Sequence, residues 1–492
     1  MSAYFMGLDN GGTAVKCVIF DDRGCEIAEA SVKTPVLSPR VHFEERDMGE
    51  LWEANVTVIS ACIQKSGVDP SDILGIGCTG HGKGLYLVDS TGAPAYYGIP
   101  STDARAESVI EAWEASGVSD GLMEMTLHRP VACQPLPLLA WLKENEPEAY
   151  TRIRYIFEAK DYIRFCLTGE AYAEITDYSG SGLMDLVRQD FNPRICEAVG
   201  MPELYCKFPP LRNSYDICGR VTPEVAEMTG LRAGTPVSGG MFDIDACALT
   251  SGAISSGDLC SITGTWSINE YVSDHPVVHA TTKNSLFCVP GYYLVEESSA
   301  TSAGNLEWFI HLFGLRETCK EGSVYERINT LVNGISPAEN TPVYVPFLYG
   351  TNESGRSLAA LEGLSHAHTV GHILRAVYEG VVFSHYTHIL RLLENRDPPA
   401  AIKLAGGAAR SRVWVQMFAD VCGLPVETVE VNELGTLGAA MSAAVAVGHY
   451  RDYHEAAERM VSRGELILPN MENHGIYMEK YQRYAVVARK GG

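Results

Sequence analysis

The sequence predicts an α/β chain built of two similar domains, on three observations. Apolar runs of strand length alternate with helical spacings along the chain. A strand, glycine turn, strand device occurs at Tyr4–Phe20 and again at Asp258–Val272. At 492 residues the chain is too long for one hydrophobic core. The repeated device suggests two domains that face one another, each offering a loop to the same ligand.

Composition narrows the classes. A make-up of 46% hydrophobic and 20% charged residues is that of a soluble globular protein, and no apolar run reaches membrane-spanning length. Against 61 acidic residues stand 38 basic ones, and the net charge of −23 repels nucleic acid and anionic lipid. The first strand begins by Tyr4, which leaves no room for a charged segment and an apolar signal core, so a cytoplasmic location is expected. Fourteen cysteines are scattered, several inside apolar runs (Cys17, Cys62, Cys166, Cys247, Cys260). With no C-x-x-C pair and no histidine cluster at ligand spacing, they read as reduced thiols rather than a zinc site or a disulfide framework.

In chain order, Tyr4–Leu8 and Ala14–Phe20 flank Asp9-Asn10-Gly11-Gly12-Thr13, and Asp21–Gly24 turns the chain into a third strand. Two adjacent glycines let backbone N–H groups approach an anion; Thr13 and Lys16 add a hydroxyl and a cation, and Asp9 offers a carboxylate to hydrated Mg²⁺. A nucleotide phosphate fits there, and so does an ordinary Asn-Gly hairpin turn. Asp47–Lys65 carries Leu51, Trp52, Val56, Ile59 and Cys62 at helical spacing. The strand Ile73–Cys78 then runs into Gly80-His81-Gly82-Lys83-Gly84, past a strand's carboxyl end, where open α/β sheets place ligands. His81 and Lys83 there either hold hydroxyls or belong to a solvated connection. Asp103 and Arg105 are either the exposed start of a helix or a polar pair aimed into a cleft. Leu138–Tyr150 reads as a helix interrupted by Pro147, and Asp161–Thr168 as one closed by Gly169.

Gly234–Gly252 is the second organising stretch: a short strand at Pro236–Ser238, a turn at Gly239-Gly240, and a helix from Asp243. Asp243 and Asp245 stand two apart in its first turn, so only one can face a given cleft, unless both merely compensate the helix dipole. Gly264-Thr265 is the turn of the repeated device. Gly406-Gly407, between the strand Ala401–Ala405 and the helix Val413–Cys422, suits close backbone approach by a nucleotide, with Arg410 beside it. The small residues of Glu433–Val447 suit close packing against a sheet.

Assembled, these stretches resemble the FGGY carbohydrate kinases of the actin-like ATPase superfamily. In Ala359–Glu379, the residues Leu361, Gly363, Leu364, His372, Ile373, Ala376, Val377, Tyr378 and Glu379 stand at the spacing of that family's second signature. Asp9–Lys16 matches its first phosphate loop, Gly264-Thr265 the second, and Gly406-Gly407 the adenosine loop. The resemblance implies two actin-like (ribonuclease H-like) α/β domains, about 1–247 and 248–480, around an interdomain cleft. It implies transfer of the ATP γ-phosphoryl group to a primary hydroxyl, with Mg²⁺ between the phosphates. Asp243 would then be the catalytic base, and His81, Lys83, Asp103 and Arg105 would grip the sugar along with Asp243. Gly11, Gly12, Thr13, Lys16, Gly264, Thr265, Gly406, Gly407 and Arg410 would hold ATP, and Asp9 the metal. Departures bear on the sugar: Leu138 replaces the first signature's usual lysine, Ser101 a usual tryptophan, and Gly239–Asp243 is one residue longer than the usual Gly-Gly-Gly-Asp. The His-Gly-Lys-Gly loop and the Met-Phe-Asp variant are most like the L-xylulose kinase branch, which implies a ketopentose. D-xylulose, ribulose, erythritol and glycerol stay open as substrates, as does a homodimer. A nucleotide-binding sensor of the same superfamily is the rival from another class, and it has no need of Asp243.

Overall fold

The computed structural model describes residues 3–264, 266–279, 281–317, 319, 322–348, 350 and 358–490. They group into two units, one of Met1–Ile254, Ser273–Val295 and Val431–Ser462, the other of Ser255–Val272, Glu296–Glu430 and Arg463–Gly492.

In the first unit, Tyr4–Asn10 and Ala14–Asp21 form an antiparallel hairpin in which Asp9 pairs with Lys16, and Tyr4–Asn10 runs parallel to Ile73–Gly80 on its other side. The full sheet runs Glu26–Lys33, Ala14–Asp21, Tyr4–Asn10, Ile73–Gly80, Pro236–Ser238, Ile217–Arg220. Strand side chains alternate between faces. Met6, Leu8 and Ile76 join Leu51, Val58, Ile59 and Cys62 of the helix Met48–Ser66 in one buried cluster. That helix starts where Asp47 accepts the Glu50 N–H at 2.9 Å and stops at Gly67, φ 64°. On the opposite face, the small residues of the helix Leu434–Ala446 let backbones nearly touch. A Cβ on Gly7 or Gly77 would lie 1.8 or 1.9 Å from the carbonyl oxygens of Thr436 and Ala439.

Leu138–Tyr150 divides, as its proline predicts, into Pro135–Asn145 and Pro147–Arg152, and each part begins on a proline that needs no N–H partner. Ala159–Thr168 ends at Gly169, φ 73°. Within it, Lys160 lies 2.8 Å from Asp161 and 3.3 Å from both Glu174 and Asp177, while Arg164 lies 2.7 Å from Asp161; all five side chains are fully buried.

The second sheet repeats the central arrangement of the first. Leu259–Thr263 is antiparallel to Ser267–Ser273 and parallel to Ile402–Gly406, within the order Lys283–Leu286, Tyr293–Ser299, Ser267–Ser273, Leu259–Thr263, Ile402–Gly406, Val426–Val429, Arg463–Ile467. The 23-residue helix Val370–Leu392 is buried along most of its length, and Arg412–Cys422 is capped by Ser411 and closed by Gly423. No described helix is long and apolar enough to cross a membrane, and all fourteen cysteines are free thiols.

Candidate active site

The turn Asn10–Thr13 closes the first hairpin, and the charged groups at its base are tied together. Lys16 Nζ lies 2.7 Å from Glu433 Oε2. Burial works against its charge, but the Glu433 carboxylate outweighs this and raises the Lys16 pKa. Burial pushes Asp9 up to about 6, with Lys16 opposing and Glu433 adding to the shift. Asp9 Oδ1 is buried with no hydrogen-bond partner among the described residues. Such an acceptor suits a water of a hydrated Mg²⁺, which is commonly held through one or two carboxylates together with substrate phosphates. The donor set therefore fits the metal. Among the described residues no group of three or more His, Cys, Asp or Glu side chains forms a metal cage.

The Gly239-Gly240 turn crosses the end of the strand Ile73–Gly80. Arg164 donates to the Gly239 carbonyl at 2.6 Å, the Met241 N–H donates to Cys78 O at 3.1 Å, and the Phe242 N–H donates to Thr176 Oγ1 at 2.9 Å. Gly240 has φ 74°, and a Cβ there would lie 1.9 Å from Cys78 O, so the turn admits only glycine. What the turn delivers is Asp243, half-buried at the first position of the helix Asp243–Ser251. Burial, and then the neighbouring Asp9 and Asp177, hold its pKa well above the carboxylate range, with Lys83 opposing. Asp245, two residues on, is fully buried and accepts the Cys288 N–H at 2.9 Å. The two aspartates thus face different surroundings, as a helix of 3.6 residues per turn requires.

The residues read as sugar-binding are more constrained than the sequence suggests. His81 is buried, its Nε2 2.8 Å from the Tyr86 hydroxyl, and burial, reinforced by Arg46, lowers its pKa to about 3; it is a neutral imidazole. Lys83 adopts φ 61°, donates its backbone N–H to Ser181 Oγ at 3.1 Å, and places its ammonium 5.9 Å from the Phe242 ring centroid. Asp103 and Arg105 are neither an exposed helix start nor an unencumbered pair. Asp103 accepts from the Glu44 and Arg105 N–H groups, while the Arg105 guanidinium is bound by Asp103 and by Glu45 at 2.9 Å, between the rings of Phe43 and Trp141.

In the second unit, a cavity of about 540 Å³ is lined by Gly264, Gly407 and Arg410. Gly406 ends its strand at φ 87°, and a 3₁₀ turn, Gly407–Arg410, which the sequence did not signal, follows before the helix. Thr263 Oγ1 fastens this turn, donating to Ala405 O at 2.8 Å and accepting the Ala408 N–H at 3.0 Å. Thr265 lies outside the described residues. The cavity floor holds Tyr378 stacked on Trp414, with ring centroids 4.0 Å apart; Asn329 Oδ1 accepts the Tyr378 hydroxyl at 2.9 Å and the Ser411 hydroxyl at 2.7 Å. Trp414, Asn329 and Asp177 escaped the sequence reading because a lone aromatic, amide or acid inside an amphipathic stretch has no motif.

Two similar α/β units, one presenting a helix-borne aspartate beside a glycine turn and the other a nucleoside-sized cavity against a glycine turn, define a phosphotransferase of the actin-like ATPase fold. The N-terminal domain of the FGGY family of carbohydrate kinases matches residues 4–250 and its C-terminal domain residues 259–447; the chain belongs to this family and is a carbohydrate kinase. It is 37% identical to the L-xylulose/3-keto-L-gulonate kinase of Escherichia coli (strain K12), over 98% of this chain and 96% of that one. It is also 34% identical to a probable L-xylulose kinase of Haemophilus influenzae, over 98% and 97%. Among solved structures, the xylulose kinase of Rhodospirillum rubrum superposes with a TM-score of 0.87 at 26% identity over 98% of both chains. Sugar kinases of this family use ATP as the phosphoryl donor.

Proposed function

We propose that this enzyme transfers the γ-phosphoryl group of ATP to a primary hydroxyl of a ketopentose, L-xylulose before others, with Asp243 as the base. The observation that carries the reading is the contrast between the two aspartates: Asp245 is spent on the Cys288 N–H, while Asp243 stands half-buried at a helix start with its pKa raised. A carboxylate whose affinity for a proton is raised by burial is a stronger general base than a solvated one. The names of the relatives support the sugar. The neutral His81, the Lys83 ammonium and the paired Asp103 and Arg105 would take sugar hydroxyls. Gly11, Gly12, Thr13 and Lys16 would take phosphates, and Gly264, Thr265, Gly406, Gly407 and Arg410 the nucleotide. Asp9 would hold Mg²⁺ through water, and the metal when bound neutralises phosphate charge. In this reading residues 1–247 and 248–480 are the two functional domains. The enzyme works in the cytoplasm on a small sugar, without nucleic acid or membrane, and a homodimer is compatible with it. ADP release measured over L-xylulose, D-xylulose, L- and D-ribulose, 3-keto-L-gulonate, erythritol and glycerol tests the proposal. L-Xylulose is expected to give the highest kcat/KM, and a higher value for glycerol or a tetritol overturns the sugar assignment. ATP hydrolysis unstimulated by every sugar would point instead to a sensor.

A further inference from the structure

We infer that Arg46 is the positioning residue of the phosphate turn, orienting the two peptide planes whose N–H groups receive ATP. The inference rests on the reading of Gly11–Thr13 as a phosphate site. Arg46 is buried, 1% exposed, and its backbone is fixed by a two-way bridge to Gly98, with N–O distances of 2.7 and 2.9 Å. One guanidinium nitrogen donates to Gly11 O at 3.1 Å and the other to Gly12 O. In a trans peptide the C=O and the following N–H point in opposite directions. Holding the Gly11 and Gly12 carbonyls on the arginine side therefore turns the Gly12 and Thr13 N–H groups to the other side. Neither N–H has a partner among the described residues. A Cβ on Gly12 would meet no atom of the described residues within 4 Å, so the space beside the turn is open among them. Two successive N–H groups aimed into open space make an anion nest, and a planar two-pronged donor is the side chain that can set both planes at once. A lysine at this position reaches one carbonyl and leaves the second plane free to rotate.

The test compares Arg46→Lys, Arg46→Gln, Arg46→Ala and, as a separate arm, Gly12→Val, with kinetics at saturating sugar, sugar affinity by calorimetry, and melting curves. In Arg46→Lys and Arg46→Gln, kcat/KM for ATP is expected to fall by about 10²-fold, the scale of a misplaced catalytic group, with sugar affinity within about twofold of the parent. Millimolar methylguanidine is expected to restore part of the loss in Arg46→Ala and none in Gly12→Val. A normally melting Arg46→Lys with parental ATP kinetics overturns the inference, and so do equal losses for sugar and ATP that methylguanidine leaves unchanged. If Arg46→Ala does not fold, Arg46→Lys decides. Loss of ATP affinity in Gly12→Val with parental kinetics in Arg46→Lys sinks the positioning role and leaves the phosphate reading standing; unaltered ATP affinity in Gly12→Val removes the phosphate reading itself.

Discussion

Asp243 and Asp245 are chemically identical and differ in position alone, one half-buried at a helix start and the other fully buried on the Cys288 N–H. Asp243→Asn keeps size and polarity but cannot accept a proton, so kcat is expected to drop by about 10²–10⁴-fold with sugar affinity retained, by steady-state kinetics and calorimetry. Asp245→Ala strands the buried Cys288 N–H and is expected to cost about 1–3 kcal/mol in denaturant unfolding. The sequence showed that only one of them could face a ligand, and the Gly-Gly turn pointed to the first. It could not show that Asp103 and Arg105 neutralise each other, because their other partners, Glu44 and Glu45, come from about sixty residues away. Asp9 carries a second consequence. A carboxyl whose pKa rises from 3.8 to about 6 on folding favours the folded state below the lower value, and that benefit is lost as pH rises through the upper one. The shift is worth on the order of 3 kcal/mol. Asp9→Asn is therefore expected to make the ligand-free protein more stable than the parent at about pH 7.5, with the difference shrinking toward about pH 4 in urea titrations.

Among the elements, those that depend on local spacing were legible. Asp47 before an apolar helical stripe, Pro147 inside one, and Gly169 after one each set a boundary that the structure keeps within a residue or two. The small-residue helix at 434–446 was legible as a packing element, although nothing in the sequence named Gly7 and Gly77 as the positions it would press on. The 3₁₀ turn at Gly407–Arg410 was not legible, because it is fixed by Thr263, more than a hundred residues earlier. The Gly239-Gly240 turn is where local and long-range determinants meet. Gly240→Ala must place a methyl group against Cys78 O in a left-handed backbone. The left-handed conformation alone costs about 1–2 kcal/mol, and the clash adds to it. The variant is expected to melt several degrees below the parent and to lose turnover beyond what the melting shift explains, because the same turn aims Asp243.

Over the whole molecule, a net charge of −23 sets a field that opposes an anionic nucleotide and leaves a neutral sugar untouched. Screening that field is expected to speed ATP association. Stopped-flow rates should rise between about 0.01 and 0.15 M salt at fixed free Mg²⁺, while sugar association stays flat. A falling ATP rate would mean that local cations at the proposed phosphate turns, Lys16 among them, outweigh the global charge. The two sheets with the same central arrangement, a hairpin flanked by a parallel strand, were the one long-range feature visible as a repeat in the sequence. The stacked pair on the cavity floor has a different kind of consequence. Trp414 is one of six tryptophans, is buried, and lies face to face with Tyr378. An indole in that setting emits from an apolar, rigid environment, and a purine entering the cavity alters both its polarity and its quenching. Under the proposed nucleotide assignment for this cavity, Trp414 is an optical reporter of occupancy, and Trp414→Phe is expected to remove the nucleotide-dependent change in emission.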